Sequence, residues 1–220
     1  MKIKYNAAVT LSFSFLCIGI LLLKLVMFPY LVEDFFTVPS HADFEPTNAA
    51  SYLLLFTHVL GHANWAHLFA NLSFILLLGP LLEETYGSLM LFVMMATTAF
   101  VTGVLNVCFS PQALLGASGI SFMMILLSSF TNTKQGEIPL TFLLVLFLFL
   151  VKDVLTAVES ENISQVSHLI GGACGSLFGF LRPSSAGASR RNKTPVRRNT
   201  KKSAAAGQKD TELPIISQDE

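Results

Sequence analysis

The sequence is poor in charged residues, and this deficit excludes most soluble proteins. Only 13% of its 220 residues are charged, whereas 52% are hydrophobic, and soluble domains usually carry about 25% charged residues. An integral membrane protein is therefore predicted. Cysteine is also scarce: Cys17, Cys108 and Cys174 show no motif spacing, which argues against a disulfide framework and against a metal site.

The sequence contains several long apolar runs that could each cross a membrane. A membrane helix needs about 20 mostly apolar residues to cross roughly 30 Å of hydrocarbon. A cleaved signal peptide is the alternative for the first run, but that run is long and no small-x-small cleavage site follows it. We predict an all-α fold, a polytopic six-helix membrane bundle, with spans at about 7–28, 65–83, 88–109, 117–133, 138–157 and 165–181.

Basic residues are absent from alternate segments between these spans. Residues 29–64, 110–116 and 158–164 contain no Lys or Arg, whereas nine of the 14 basic residues lie in 182–209. Cytoplasmic flanks carry the positive excess. Both termini are therefore predicted to be cytoplasmic, and a minimal six-span core suggests a bacterial plasma (inner) membrane.

Composition divides the chain into two parts. Residues 1–181 are predicted to form the membrane domain, with a long outside loop at about 29–64 that lies partly on the membrane surface. Residues 182–220 are too polar to build a core, which predicts a disordered, basic-then-acidic cytoplasmic tail. Its basic stretch either attracts anionic lipid or is a solvated topology anchor. It contains no aromatic residue, so no nucleic-acid partner is expected.

Polar residues within spans are functional candidates, because placing them in lipid is costly. The fourth span opens with Gly116-Ala117-Ser118-Gly119, which puts Ser118 near the outer boundary. The sixth span runs in the same direction and carries His168 about one turn from its start. A nucleophile and its base need this shared depth, because the imidazole must reach the hydroxyl to remove its proton.

Glycines on the sixth span favour close packing of a neighbouring helix. If that neighbour is the fourth span, the packing holds Ser118 and His168 together, and Phe122 is placed to pack against the imidazole. Four residues share one face at i, i+4, i+7 and i+11: His168, Gly172, Gly175 and Gly179.

Acyl transfer also needs donors for the oxyanion that develops on the scissile carbonyl. The second span offers His67 and Asn71, which lie four residues apart and so on one helix face. The Ser118 backbone N–H is a third candidate, because helix N-termini leave such groups free. The combination favours a serine hydrolase, and neither a metal nor another cofactor is expected.

These residues resemble the rhomboid family of intramembrane serine proteases over the whole hydrophobic bundle. The resemblance implies a six-helix fold, a Ser118 nucleophile, a His168 base, and an oxyanion pocket lined by His67 and Asn71. It also implies transmembrane protein substrates within the lipid bilayer. Gly116, Gly172, Gly175 and Glu83 match structural positions. The motifs are HVLGHANWAHLFAN at 58–71, Gly116-Ala117-Ser118-Gly119, and Ser167-His168 with Gly171, Gly172 and Gly175.

Three rival functions fit the sequence less well. A non-catalytic rhomboid-like protein that binds membrane clients typically lacks the Ser or the His, and this chain retains both. A metal site on His58, His62 and His67 would lie in a loop, with no Glu between the first two to act as a base. A transporter would often show an internal repeat, and none is evident.

Overall fold

Backbone polar groups find no water inside a bilayer, so the apolar runs satisfy them within α-helices. The computed structural model describes residues 5–131, 137–159 and 165–181. Across these ranges the predicted all-α class is confirmed, and the one β pairing is an isolated bridge between Val38 and Leu114. The helices are α1 Ala8–Val26, α2 Leu31–Phe35, α3 Ala49–Thr57 with a 3-10 turn His58–Leu60, α4 Trp65–Tyr86, α5 Ser88–Phe109, α6 Ser118–Ser128, α7 Leu140–Glu159 and α8 Gln165–Phe180.

Three of the described helices, α1, α4 and α5, are both long and apolar enough to cross a bilayer. Their outward faces leave large apolar side chains open, including Phe15, Leu77 and Leu89, which are 61%, 72% and 78% exposed. Monomeric soluble proteins rarely expose apolar surface of this extent. These faces therefore contact lipid, and the chain is an integral membrane protein.

α6 is shorter than its sequence predicts and lies inside the bundle. It has 11 residues, so it rises about 16 Å, roughly half the hydrocarbon thickness. Every residue from Gly119 to Leu127 is buried, which shields the helix from lipid. After Ser128 the next three N–H groups donate to carbonyls three residues back. The span predicted at 117–133 is thus a buried helix to Ser128 followed by tight turns.

α7 and α8 occupy the last two predicted spans. They run over Leu140–Glu159 and Gln165–Phe180, within three residues of the predicted bounds. The predicted tail at 182–220 lies outside the described residues. That tail, the domain division at 181 and the count of six membrane crossings stay predictions.

The long segment between α1 and α4 is folded against the end of the bundle where α6 begins. Val38 and Leu114 exchange backbone hydrogen bonds of 2.8 Å, and the Asn106 side-chain amide donates to the Pro39 carbonyl at 3.3 Å. These bonds tie the segment to the C-terminal end of α5 and to the loop before α6. Its predicted contact with the membrane surface stays a prediction.

Glu83 joins three helices at the opposite end of the bundle. Its carboxylate accepts hydrogen bonds from the Val9 and Thr10 N–H groups at 3.0 and 3.1 Å and from the Ser88 hydroxyl at 2.7 Å. A helix N-terminus leaves such N–H groups without partners, and the N-cap residue of α1, Ala7, makes no side-chain cap. Glu83 on α4 therefore caps the N-terminus of α1, which is a structural role, as the resemblance implied.

Candidate active site

Ser118 begins α6 directly after a turn that glycine makes without strain. Gly116 has a φ of 108°, which residues with a Cβ rarely adopt, and its N–H donates to the His58 carbonyl at 2.9 Å. Two residues later Ser118 starts the helix, where the first N–H groups have no partner within the helix. The Ser118 side chain is partly exposed, so its hydroxyl is accessible.

α8 lies directly against α6, and glycines set the distance between the two helices. A Cβ on Gly171 would clash with the Gly119 carbonyl, and one on Gly175 would clash with another carbonyl of α6. A Cβ on Gly172 would meet only the Leu126 side chain, at 3.0 Å. Small residues allow this approach of two backbones. The closest contact is thus made by Gly171, one residue before the predicted Gly172.

Two consecutive residues of α8 meet the start of α6. The Ser167 Oγ lies 3.2 Å from the Ser118 Oγ, and Ser167 is buried. The His168 ring stacks on the Phe122 ring, with centroids 4.1 Å apart and 3° between the ring planes, so the predicted packing of these rings is confirmed. Phe122 lies four residues after Ser118, hence one turn along α6 on the same face. The imidazole is therefore held within about a turn of the hydroxyl.

α4 brings His67 and Asn71 to the turn that precedes Ser118. A methyl group on Gly116 would lie 2.6 Å from His67 Nε2 and 3.6 Å from Asn71 Nδ2. Asn71 is 5% exposed, and among the described residues its Nδ2 has no hydrogen-bond partner. Burying an unpaired donor costs about 1–3 kcal/mol, so such a group in a native structure requires an explanation. A ligand oxygen bound beside Gly116 would supply one.

The other two histidines of the motif are buried ahead of α4. His58 and His62 are 1% and 0% exposed, and burial lowers the pKa of each to about 4, so both are neutral at pH 7. Their Nδ1 atoms lie 3.2 and 3.3 Å from the Leu54 and Leu60 carbonyls. A carbonyl can only accept, so each Nδ1 donates and orders the backbone. In the described ranges no three His, Cys, Asp or Glu residues form a group that could hold a metal ion.

Ser167 was not singled out as a contact of Ser118 from the sequence, although a periodic signal for it exists. Gly171 and Gly172 are adjacent, so α8 has two neighbouring faces that carry glycine. The predicted face started from His168 and therefore included Gly172 instead of Gly171. In the structure Gly171 and Gly175 of the second face pack on α6, and the first residue of that face, Ser167, places its hydroxyl beside Ser118. That face has a spacing of four residues: Ser167, Gly171, Gly175 and Gly179.

Comparisons with known proteins point to one family. The family model described as Rhomboid domain matches residues 49–185. The chain is 22% identical to Rhomboid protease GlpG of Haemophilus influenzae over 176 residues, which are 79% of this chain and 90% of that protein. It is 24% identical to Rhomboid-like protein 11, chloroplastic, of Arabidopsis thaliana over 169 residues, which are 69% of this chain and 60% of that protein.

Proposed function

The chain belongs to the rhomboid family, and from that premise we propose that it is an intramembrane serine endopeptidase. It hydrolyses a peptide bond in or near the transmembrane segment of membrane protein substrates, with Ser118 as nucleophile and His168 as general base. One observation carries the proposal: an accessible serine, a stacked imidazole and a buried Asn71 Nδ2 that bonds to no described residue lie together at the start of α6. In addition, a relative named a protease is matched over 90% of its length.

Acylation starts with the Ser118 hydroxyl. As its Oγ bonds to the scissile carbonyl carbon, His168 takes the hydroxyl proton and the C=O electron pair moves onto oxygen. The Asn71 side-chain amide, the His67 ring and the Ser118 N–H donate to that oxyanion. The C–N bond then breaks, and His168 gives its proton to the leaving amine. Water, activated by His168, releases the acyl group from Ser118 in the second half of the reaction.

The Asn71 amide contributes at the transition state in this mechanism. Asn71→Ala should lower the rate of reporter cleavage in proteoliposomes by about 10²–10³-fold, the usual effect of removing one oxyanion donor. Stability should change little, because Asn71 Nδ2 bonds to no described residue of the folded protein. The rate would be measured with a single-span reporter, and stability by thermal unfolding.

Asn106→Ala is the matched control for the loss of an amide. The Asn106 side chain donates to the Pro39 and Gln112 carbonyls at 3.3 and 3.1 Å, so its loss should lower stability while folded protein keeps cleaving. Wild-type cleavage by Asn71→Ala, with Asn106→Ala behaving as described, would contradict the oxyanion role.

We also propose six membrane crossings in a bacterial plasma membrane, with both termini cytoplasmic and Ser118 near the outer face. The support is the excess of basic residues in 182–209 and their absence from 110–116. In a cysteine-free background, Gln112→Cys should react with a membrane-impermeant maleimide in intact bacteria. Ser217→Cys should react only after lysis, and its labelling in intact cells would contradict this orientation.

A further inference from the structure

The hydroxyl of Ser118 is paired with a second hydroxyl in the free protein. Its Oγ lies 3.2 Å from the Ser167 Oγ, and Ser167 is 4% exposed. Water cannot readily replace a partner buried to this degree, and the low local dielectric strengthens a hydrogen bond at such a site. The pair is therefore a defined feature of the resting site.

Backbone packing fixes Ser167 in place beside Ser118. One turn further along α8, Gly171 lies against the Gly119 backbone without room for a methyl group. The two helix backbones cannot slide past one another without breaking this contact, so the Ser167 side chain stays opposite Ser118.

His168 follows Ser167 and points about 100° further round α8. Its ring is held on Phe122. Two successive residues of α8 therefore lie against the start of α6, Ser167 bonded to Ser118 and His168 stacked on Phe122 one turn further along. These two residues offer different interactions. Ser167 offers a hydroxyl that can donate or accept, whereas His168 offers the basic nitrogen that the proposed reaction needs.

We propose that Ser167 is a positioning residue that holds the Ser118 hydroxyl in a resting orientation, and that this bond is given up when Ser118 attacks. The inference rests on the proposed function. Either hydroxyl can donate in this pair. If Ser118 donates, its hydroxyl must rotate about χ1 or its C–O bond to direct its proton to His168, and staggered wells separate such orientations; if Ser167 donates, the bond engages the Oγ lone pairs with which Ser118 attacks. An interaction present in the ground state and lost in the transition state slows the reaction.

Ser167→Ala should therefore increase the rate of attack by Ser118 about fivefold. This factor corresponds to a ground-state hydrogen bond with a net free energy of about 1 kcal/mol. For reporter cleavage limited by acylation, kcat should rise while KM stays unchanged, because Ser167 is only 4% exposed and so offers a substrate almost no surface to bind. A purely structural role would give the reverse, with a lower kcat and a lower stability. Ser167→Gly removes the same hydroxyl and continues the glycine face of α8, so it should accelerate attack similarly.

The attack step is isolated by a fluorophosphonate probe on the full-length protein in detergent. Ser118 Oγ forms a bond to phosphorus, fluoride leaves with the electron pair of the P–F bond, and the hydroxyl proton passes to His168. The second-order labelling rate would be compared for wild type, Ser167→Ala, Ser167→Gly, Ser118→Ala and Ser176→Ala. Ser176 is the matched control, because its hydroxyl donates to the Gly172 carbonyl within α8 at 2.7 Å.

The expected result is faster labelling in both Ser167 variants, the wild-type rate in Ser176→Ala, and none in Ser118→Ala. Labelling of folded Ser167→Ala and Ser167→Gly at or below the wild-type rate would overturn the inference and leave the proposed function standing. Absence of Ser118 labelling in the wild type would instead overturn the proposed function, and this inference with it.

Discussion

Ser118→Ala should abolish cleavage of a single-span reporter in proteoliposomes, with a fall of roughly 10⁴–10⁶-fold in kcat. The methyl group cannot form the acyl-enzyme, so the remaining groups retain only binding and oxyanion stabilisation. Folding should be preserved, because Ser118 is partly exposed and its replacement by alanine removes a single side-chain hydrogen bond, the one to Ser167. Initial rates and thermal unfolding, measured on the same preparation, separate these two effects.

Ser128→Ala is the control for this loss of a hydroxyl on α6. The Ser128 hydroxyl donates to the Ile125 carbonyl of its own helix at 2.7 Å, at the end of α6 remote from Ser118. Activity of this variant should match the wild type. Cleavage by Ser118→Ala at even a tenth of the wild-type rate would show that Ser118 is not the nucleophile.

Gly171→Ala should destabilise the protein by about 3 kcal/mol or more, the upper range for overpacking, and should also impair activity. Alanine gains up to about 1 kcal/mol over glycine in a helix, but its methyl group would clash with the Gly119 backbone. A backbone carbonyl cannot rotate away, so α8 must shift and carry His168 with it. A misplacement of about 1 Å at a reacting group can cost 10²-fold in rate.

Gly172→Ala provides the matched control, since the two glycines are neighbours on α8. Its methyl group would meet the Leu126 Cδ1 at 3.0 Å, and a flexible side chain can yield by a few tenths of an ångström. Unfolding and cleavage of Gly172→Ala should therefore stay close to wild type. Equal effects of the two substitutions would contradict the packing described for α6 and α8.

The helices that face lipid could be predicted well from the sequence, because lipid imposes a length and a composition on them. α1 and α5 begin and end within two residues of their predicted bounds. α4 runs to Tyr86, past its predicted end at 83, because Gly87 with a φ of 84° ends the helix. A count of apolar residues places the end of α4 too early, because the charged pair Glu83 and Glu84 ends the apolar run before the helix reaches Gly87.

The interior of the bundle was less predictable, because hydrophobicity does not distinguish a helix in lipid from a helix in protein. α6 reads as a full span yet is an 11-residue buried helix. The capping of α1 by Glu83 joins residues more than 70 positions apart, and local patterns carry no such information. Likewise, Gly171 and Gly172 are equally good packing residues in sequence, and only the helix register selects Gly171.

The candidate site was predictable as a set of residue types, but its contacts were not. Ser118, His168, His67 and Asn71 follow from polar residues at one depth. The bond between Ser118 and Ser167 depends on how α8 is rotated about its axis. The Asn71 Nδ2 bonds to no described residue and lies beside Gly116, and this contact between α4 and the loop before α6 cannot be predicted from the sequence alone.

The central claim, that Ser118 is an activated nucleophile, is tested most directly by peptide mass spectrometry after fluorophosphonate treatment of the purified protein. The account predicts one phosphonyl adduct, on Ser118, in the wild type, and none on that residue in His168→Ala. An unmodified Ser118 in folded wild-type protein, or an adduct that forms equally well without His168, would contradict it. The first of those results would favour a rhomboid-family protein that binds membrane clients without cleaving them.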